Sequence, residues 1–166
     1  MSPSQAQTLL DMWLDPEDDP RAHDEIEVVD ERTNLQEYLR VYRTTLRMKC
    51  DGLTPGQLAT RSVPPSTMSL LGLIRHMAKV ERDWFRLRGA REDAPRLYWS
   101  EQDRDEAFTG AVAQQAVVDE AFARWDEEVA YGQRFVAAEP DLGRVYTYRD
   151  GETISLRELM LHMVEE

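Results

Sequence analysis

S-T-M-S-L-L-G-L-I-R-H-M-A-K-V-E-R-D-W-F-R-L-R-G, running from Ser66 to Gly89, carries the pattern from which the rest of the chain can be read. Leu70, Leu73, Ile74, Met77, Val80, Trp84 and Leu87 recur at three- and four-residue steps, the spacing that aligns side chains on one face of an α-helix. Ser66 follows Pro64-Pro65, and its hydroxyl can accept from the first exposed N–H groups, so it is the expected N-cap. Gly89 tolerates the left-handed conformation that ends many helices and is the expected stop. His76 falls at the edge of the apolar stripe, one turn after Leu73 and one before Val80. Its imidazole should therefore face whatever this helix packs against.

Upstream, Asp30 to about Cys50 reads as a long helix with Leu35, Leu39, Tyr42, Leu46 and Cys50 on one face and Gly52 just beyond its end. Thr54-Pro55 opens a short helical turn, because proline suits the first helical position. Downstream, about Ala90 to Thr109 reads as an irregular stretch containing Pro95, Tyr98 and Trp99. Loops of that length in compact domains are usually functional or partly disordered. A third long helix is expected from about Ala111 to Ala138, with Val118, Ala121, Phe122, Trp125, Val129 and Phe135 or Val136 inward and Pro140 closing it. Val145–Tyr148 and Thr153-Ile154 read as a small β-hairpin around Asp150-Gly151. The last helix begins with a capping box, Ser155 with Glu158, and buries Leu156, Leu159, Met160 and Met163. It reaches Glu165-Glu166 in mid-pattern, and two acids at a helix C-terminus oppose the macrodipole, so a longer fourth helix is expected in the natural protein. The fold class expected is all-α: a four-helix bundle over residues 30–166 with a hairpin before the last helix. Residues 1–29 form an acidic arm, anchored by a short helix around Leu9–Leu14, with His23 as a solvated loop residue.

Composition narrows the function. Asp and Glu number 32 against 20 Lys and Arg, a formal charge of −12, and such a surface repels phosphate backbones. No basic run and no aromatic interleaving suggests a nucleic-acid platform, so none is expected as a partner. Cys50 is the sole cysteine, which excludes an intramolecular disulfide and a four-cysteine zinc site. No stretch approaches the roughly 18 apolar residues needed to span a bilayer, and no signal peptide is apparent; a cytoplasmic location without membrane association is expected.

His76 and His162 each lie at the flank of a Met- and Leu-rich helix stripe, and Glu166 falls inside the apolar arc of the fourth helix. A carboxylate pointing into a core is costly unless it is paired or bound to a cation, and metal sites in bundles are built from Glu and His on facing helices. By spacing alone, histidines satisfied by a backbone carbonyl or a neighbour are the commoner arrangement, and the two readings stay open. Glu81 and Asp83 read as surface partners of nearby arginines, Glu127-Glu128 as a solvated face, and Cys50 as a small buried residue. Trp84, Trp99, Trp125, Tyr98 and Tyr42 could line a pocket, but core packing is the commoner arrangement.

The segments L-T-P-G-Q-L (53–58), S-V-P-P-S-T-M-S-L-L-G-L-I-R-H-M-A-K-V-E-R-D-W-F (62–85), D-G-E-T-I-S-L-R-E-L (150–159) and L-H-M-V-E-E (161–166) together resemble the DinB superfamily. More narrowly, they resemble its actinobacterial branch near mycothiol-dependent maleylpyruvate isomerase. The resemblance covers about residues 30–166. It implies an up-down-down-up four-helix bundle holding a divalent metal, zinc or nickel. It also implies a low-molecular-weight thiol such as mycothiol as co-substrate, a small-molecule electrophile, and pairing of two chains into a homodimer. Matched position by position, it implies His76 as the second-helix ligand and Glu166 as the first member of a fourth-helix pair whose second member would lie four residues further on. His162 would flank the site or substitute. No motif marks a thiol-binding residue; Arg75 and Arg82, which flank His76, are only candidate anchors for the thiol. The expected function is a metal-dependent enzyme of thiol transfer or thiol-assisted isomerisation. The alternative is a non-catalytic binding or stress-associated bundle with structural histidines.

Overall fold

The computed structural model describes residues 18–21, 30–148 and 151–166. His23 and the segment Leu9–Leu14 lie outside the described residues, as do Arg149 and Asp150 of the expected hairpin turn. Among the described residues, six α-helices and one two-stranded hairpin follow in the order α1 (Glu31–Cys50), α2 (Pro55–Leu58), α3 (Leu70–Glu81), α4 (Glu106–Thr109), α5 (Gln115–Ala138), β1 (Val145–Thr147), β2 (Thr153–Ser155) and α6 (Leu156–Glu165). A π-helical segment, Arg82–Gly89, continues α3. The protein is an all-α four-helix bundle built from α1, α3 with its π extension, α5 and α6, and the hairpin stands before the last helix.

Four of the helices, α1, α2, α3 and α6, begin where a side chain satisfies free N–H groups. Asp30 accepts from Thr33 N at 2.9 Å to open α1. Thr54 and Gln57 form a capping box at α2, and Ser155 and Glu158 form another at α6. The cap of α3 is Ser69, whose hydroxyl accepts from Gly72 N at 3.1 Å. Ser66, the expected cap, instead accepts from Met68 N and leaves three residues extended before the helix. Gly52 ends α1 in the left-handed region, φ +68°. Gly89 does not act as a left-handed stop. It is buried in the last π turn, where an added Cβ would lie 2.8 Å from Phe135 Cζ, so its role is close packing.

Two apolar clusters fill the bundle. Leu35, Leu39, Phe85, Leu156, Leu159 and Met160 belong to one, and Leu58, Leu71, Ile74, Ala78, Ala121 and Trp125 to the other. The inward face of α3 is rotated from the stripe that the spacing suggests: Leu71, Ile74, Ala78, Glu81 and Phe85 are the buried set, while Leu70, Leu73 and Trp84 are half-buried. The π segment carries this rotation on. Its wider turns, marked by the bond from Ala90 N to Phe85 O at 2.9 Å, use one more residue per hydrogen bond than an α-helix. Trp84 is left half-buried, packed against the edge of the first cluster.

Charges, too, are inside. Glu81 is fully buried and accepts from Arg43 Nε and Nη2 at 2.7 and 2.8 Å, tying α3 to α1. Glu128 of α5 is also fully buried and accepts from Arg82 (2.7 Å) and Arg86 (2.6 Å) of the π segment. The expectation of Glu81 and Asp83 as surface partners and of Glu128 on a solvated face is therefore corrected: all three are buried. Charges survive there because each carboxylate meets a guanidinium, or for Asp83 the Lys79 ammonium at 2.7 Å. Glu127, by contrast, is exposed as expected. The hairpin is antiparallel with Tyr146 opposite Ile154, and Leu156 N and Arg157 N bond to Arg144 O and Leu142 O to seat the start of α6. Arg40 of α1 donates to Pro20 O and Arg21 O at 3.0 and 2.9 Å, which lays residues 20–21 along α1.

Candidate functional site

The bundle brings His76 of α3 together with His162 and Glu166 at the end of α6. His162 and Glu166 are one turn apart, so they share a face, and their Nε2···Oε1 distance is 2.9 Å. His76 Nε2 reaches the other oxygen, Oε2, at 3.3 Å. A carboxylate can only accept, so in this arrangement both imidazoles present Nε2–H to one carboxylate. All three side chains are partly open, between a quarter and a third exposed.

Both rings are held from behind by aromatic neighbours. Phe108 of α4 stacks on His76 with centroids 5.5 Å apart and planes at 27°. It can do so because Gly72, one turn before His76, has no Cβ; one added there would lie 2.7 Å from Phe108 Cδ1. Trp84, carried by the π segment, lies 4.1 Å from the His162 ring. Neither Phe108 nor Trp84 is singled out as a site residue by sequence pattern. Phe108 sits in the stretch that reads as loop, and Trp84 fits the core stripe of an uninterrupted α-helix.

Beside the cluster a cleft of about 350 Å³ runs into the bundle, lined by Tyr42, Leu73, Met77, Trp125, Met163 and Glu166 among others. Its walls are mainly apolar, and the Glu166 carboxylate stands in its lining. Arg75 and Arg82 do not reach it. Arg75 is buried, donates to Ala107 O (2.9 Å) and Glu106 O (3.0 Å), and stacks on Tyr98 at 3.9 Å, pinning the 90–109 stretch to α3. Arg82 is committed to Glu128. Cys50 is buried, and that burial pushes its thiol up to about 11, so it offers no thiolate near neutral pH.

Against known families, the model described as mycothiol S-transferase matches residues 34–166, most of the chain. The chain belongs to the mycothiol S-transferase family. Comparison with curated proteins and with solved structures found no match. Membership bears out the resemblance to the DinB-like, mycothiol-related group and places the protein among thiol transferases that act on small molecules. The matched span includes all of the bundle except the first three residues of α1, and all three residues of the histidine–glutamate cluster.

The donor set suits the metal that the resemblance implies: two imidazole nitrogens and a carboxylate are ligands that zinc and nickel accept. The geometry is that of a hydrogen-bonded trio. Among the described residues no three His, Cys, Asp or Glu side chains are arranged as a metal cage. The same Nε2 atoms that donate to Glu166 would have to give up their protons to serve as ligands.

Proposed function

We propose that this mycothiol S-transferase homologue joins a low-molecular-weight thiol to a small electrophile at a divalent-metal centre formed by His76, His162 and Glu166. The observation that carries the reading is the convergence of both imidazole Nε2 atoms, from two helices, on one carboxylate. A divalent ion there would lower the pKa of a bound thiol and so supply the thiolate. The chain's own residues do the rest. His76 and His162 hold Glu166 from two sides, and Phe108 and Trp84 fix the ring planes. The apolar cleft walls formed by Leu73, Met77 and Trp125 exclude water from the electrophile and give it a surface to lie on. Thiol-assisted isomerisation would need the same thiolate and the same cleft, and differs in expelling the thiol again at the end.

A second reading is favoured by the completeness of the hydrogen bonding: each imidazole already has a carboxylate partner and an aromatic neighbour, as structural histidines do. One experiment separates the two. The protein is loaded with zinc, freed of excess by gel filtration, and assayed for metal beside His76→Ala. About one ion per chain is expected, falling at least tenfold in the variant, with the helical circular dichroism retained. Failure to hold zinc after loading, or equal retention by His76→Ala, rejects the metal centre. A large fall in melting temperature without any metal in either form supports the structural reading.

A further inference from the structure

A second cleft, of about 200 Å³, begins one turn along α3 from His76 and is lined by Lys79, Asp83, Arg88, Arg91, Arg96 and Tyr148, with Leu87. Lys79 and Asp83 neutralise each other at 2.7 Å. Arg88, Arg91 and Arg96 make no ion pair and no hydrogen bond among the described residues. The cleft therefore holds three uncompensated guanidiniums in a chain of net charge −12. Other guanidiniums drawn into the bundle have acceptors: Arg43 has Glu81, Arg82 and Arg86 share Glu128, and Arg75 has two carbonyls. Arg88 and Arg96 are half-buried without one. Cations in a concave, partly desolvated wall attract an anion more strongly than fully exposed ones, because less water screens them.

The way these arginines are held leaves their donors unspent. Arg88 lies over the Trp84 ring at 3.8 Å, and Arg96 over Trp99 at 4.6 Å. A stacked guanidinium uses its face, while its N–H groups lie in the plane and stay open to an acceptor. Arg91 has φ +56°, a left-handed conformation that is strained for a residue with a Cβ. The bond from Glu92 N to Arg86 O at 2.9 Å closes the turn that keeps it there, in the wall of the cleft.

We propose that this cleft binds a phosphate group, free or at the end of a small ester. Three guanidinium forks match three terminal oxygens carrying a charge of about −1.5 to −2, whereas a single carboxylate offers two oxygens and one charge. The cleft has room for one compact group, and the acidic surface around it repels a nucleic-acid backbone. Binding requires neither thiol nor metal, so it goes beyond the thiol-transfer reading and stands apart from it.

The test is calorimetric titration of the protein, at low ionic strength, with inorganic phosphate, with glycerol 3-phosphate, and with malonate, a dianion built from two planar carboxylates. The better of the two phosphates is expected to bind about tenfold more tightly than malonate, and which of them it is tells free ion from ester. Arg91→Asn combined with Arg96→Gln, of which asparagine tolerates the left-handed backbone, should weaken that binding at least about tenfold. Arg134→Gln removes an exposed arginine of α5 outside the cleft and should change it by less than about twofold. His76→Ala should bind phosphate as the unaltered protein does, so a failed metal centre would leave this result standing. Absence of phosphate binding, malonate binding as tight, affinity unchanged in the double variant, an equal loss in Arg134→Gln, or a loss in His76→Ala overturns the proposal.

Discussion

Glu128 shows how much one buried side chain can organise. Its two oxygens receive Arg82 and Arg86, both from the π segment, and none of the carboxylate is exposed to water. A buried ion pair as a whole contributes little against an apolar replacement, but removing one partner strands the other charge. Glu128→Ala would strand two. Its unfolding free energy should drop by about 3–5 kcal/mol, read from denaturant titration. Glu127→Ala, one residue earlier and exposed, should change it by about 0–1 kcal/mol. A fall at Glu128 no larger than at Glu127 would show that water reaches the guanidiniums. Glu81 belongs to the same class. Burial pushes its carboxyl above the ordinary range, and Arg43 opposes the shift.

Among the elements, α6 has the greatest bearing on the site, because its ten residues carry His162 and Glu166 caps its end. An isolated helix of that length is marginal in water, so its order depends on its cap and on burial of Leu156, Leu159, Met160 and Met163. The capping box satisfies donors at its start through Ser155 Oγ and the Glu158 carboxylate. Ser155→Ala should cost about 1 kcal/mol and speed amide hydrogen exchange along α6 before it does so in α1 or α5. Uniform acceleration in all helices would mean that α6 has no local opening of its own. The π segment matters in a different way. It places Trp84, packed at the edge of the core, against the His162 ring.

For the molecule as a whole, acid is the expected weak point. Asp30 and Glu158 are held below the ordinary carboxylate range first by the backbone N–H groups they cap, Glu31 by Arg157, and Glu92 by the Tyr131 hydroxyl. Carboxyls lowered by folding add stability that is present above their ordinary values, 3.8 for Asp and 4.5 for Glu, and lost as pH falls through the lowered ones. Glu81, raised by burial, has the opposite sign, but four groups act against it. The denaturation midpoint should therefore fall steadily below about pH 4.5. A flat midpoint down to pH 3 would mean that these bonds persist in the unfolded chain. No helix among the described residues is long and apolar enough to cross a membrane.

Much of the architecture is legible in the linear order of residues. The α1 boundaries, the short helical turn opened by Thr54-Pro55, the capping box at Ser155, the hairpin before α6 and the helix ending at Ala138 all follow from side chains acting on backbone within a turn or two. His76, His162 and Glu166 could be singled out for the same reason, since helical spacing fixes which face a residue occupies. What spacing leaves open is which of two overlapping faces turns inward. On α3 the set Leu71, Ile74, Ala78, Glu81 and Phe85 fits the three- and four-residue steps as well as the more apolar stripe does. The choice falls to it because Arg43, thirty-eight positions away, meets Glu81 inside. Glu128 is buried for a like reason, through arginines on another element. The meeting of His76 with Glu166 spans ninety positions. The π turns and the packing of Phe108 and Trp84 against the two histidines likewise depend on long-range contacts. A local pattern can name the face on which a charge lies; only the partner brought from elsewhere makes its burial affordable or leaves it free for a ligand.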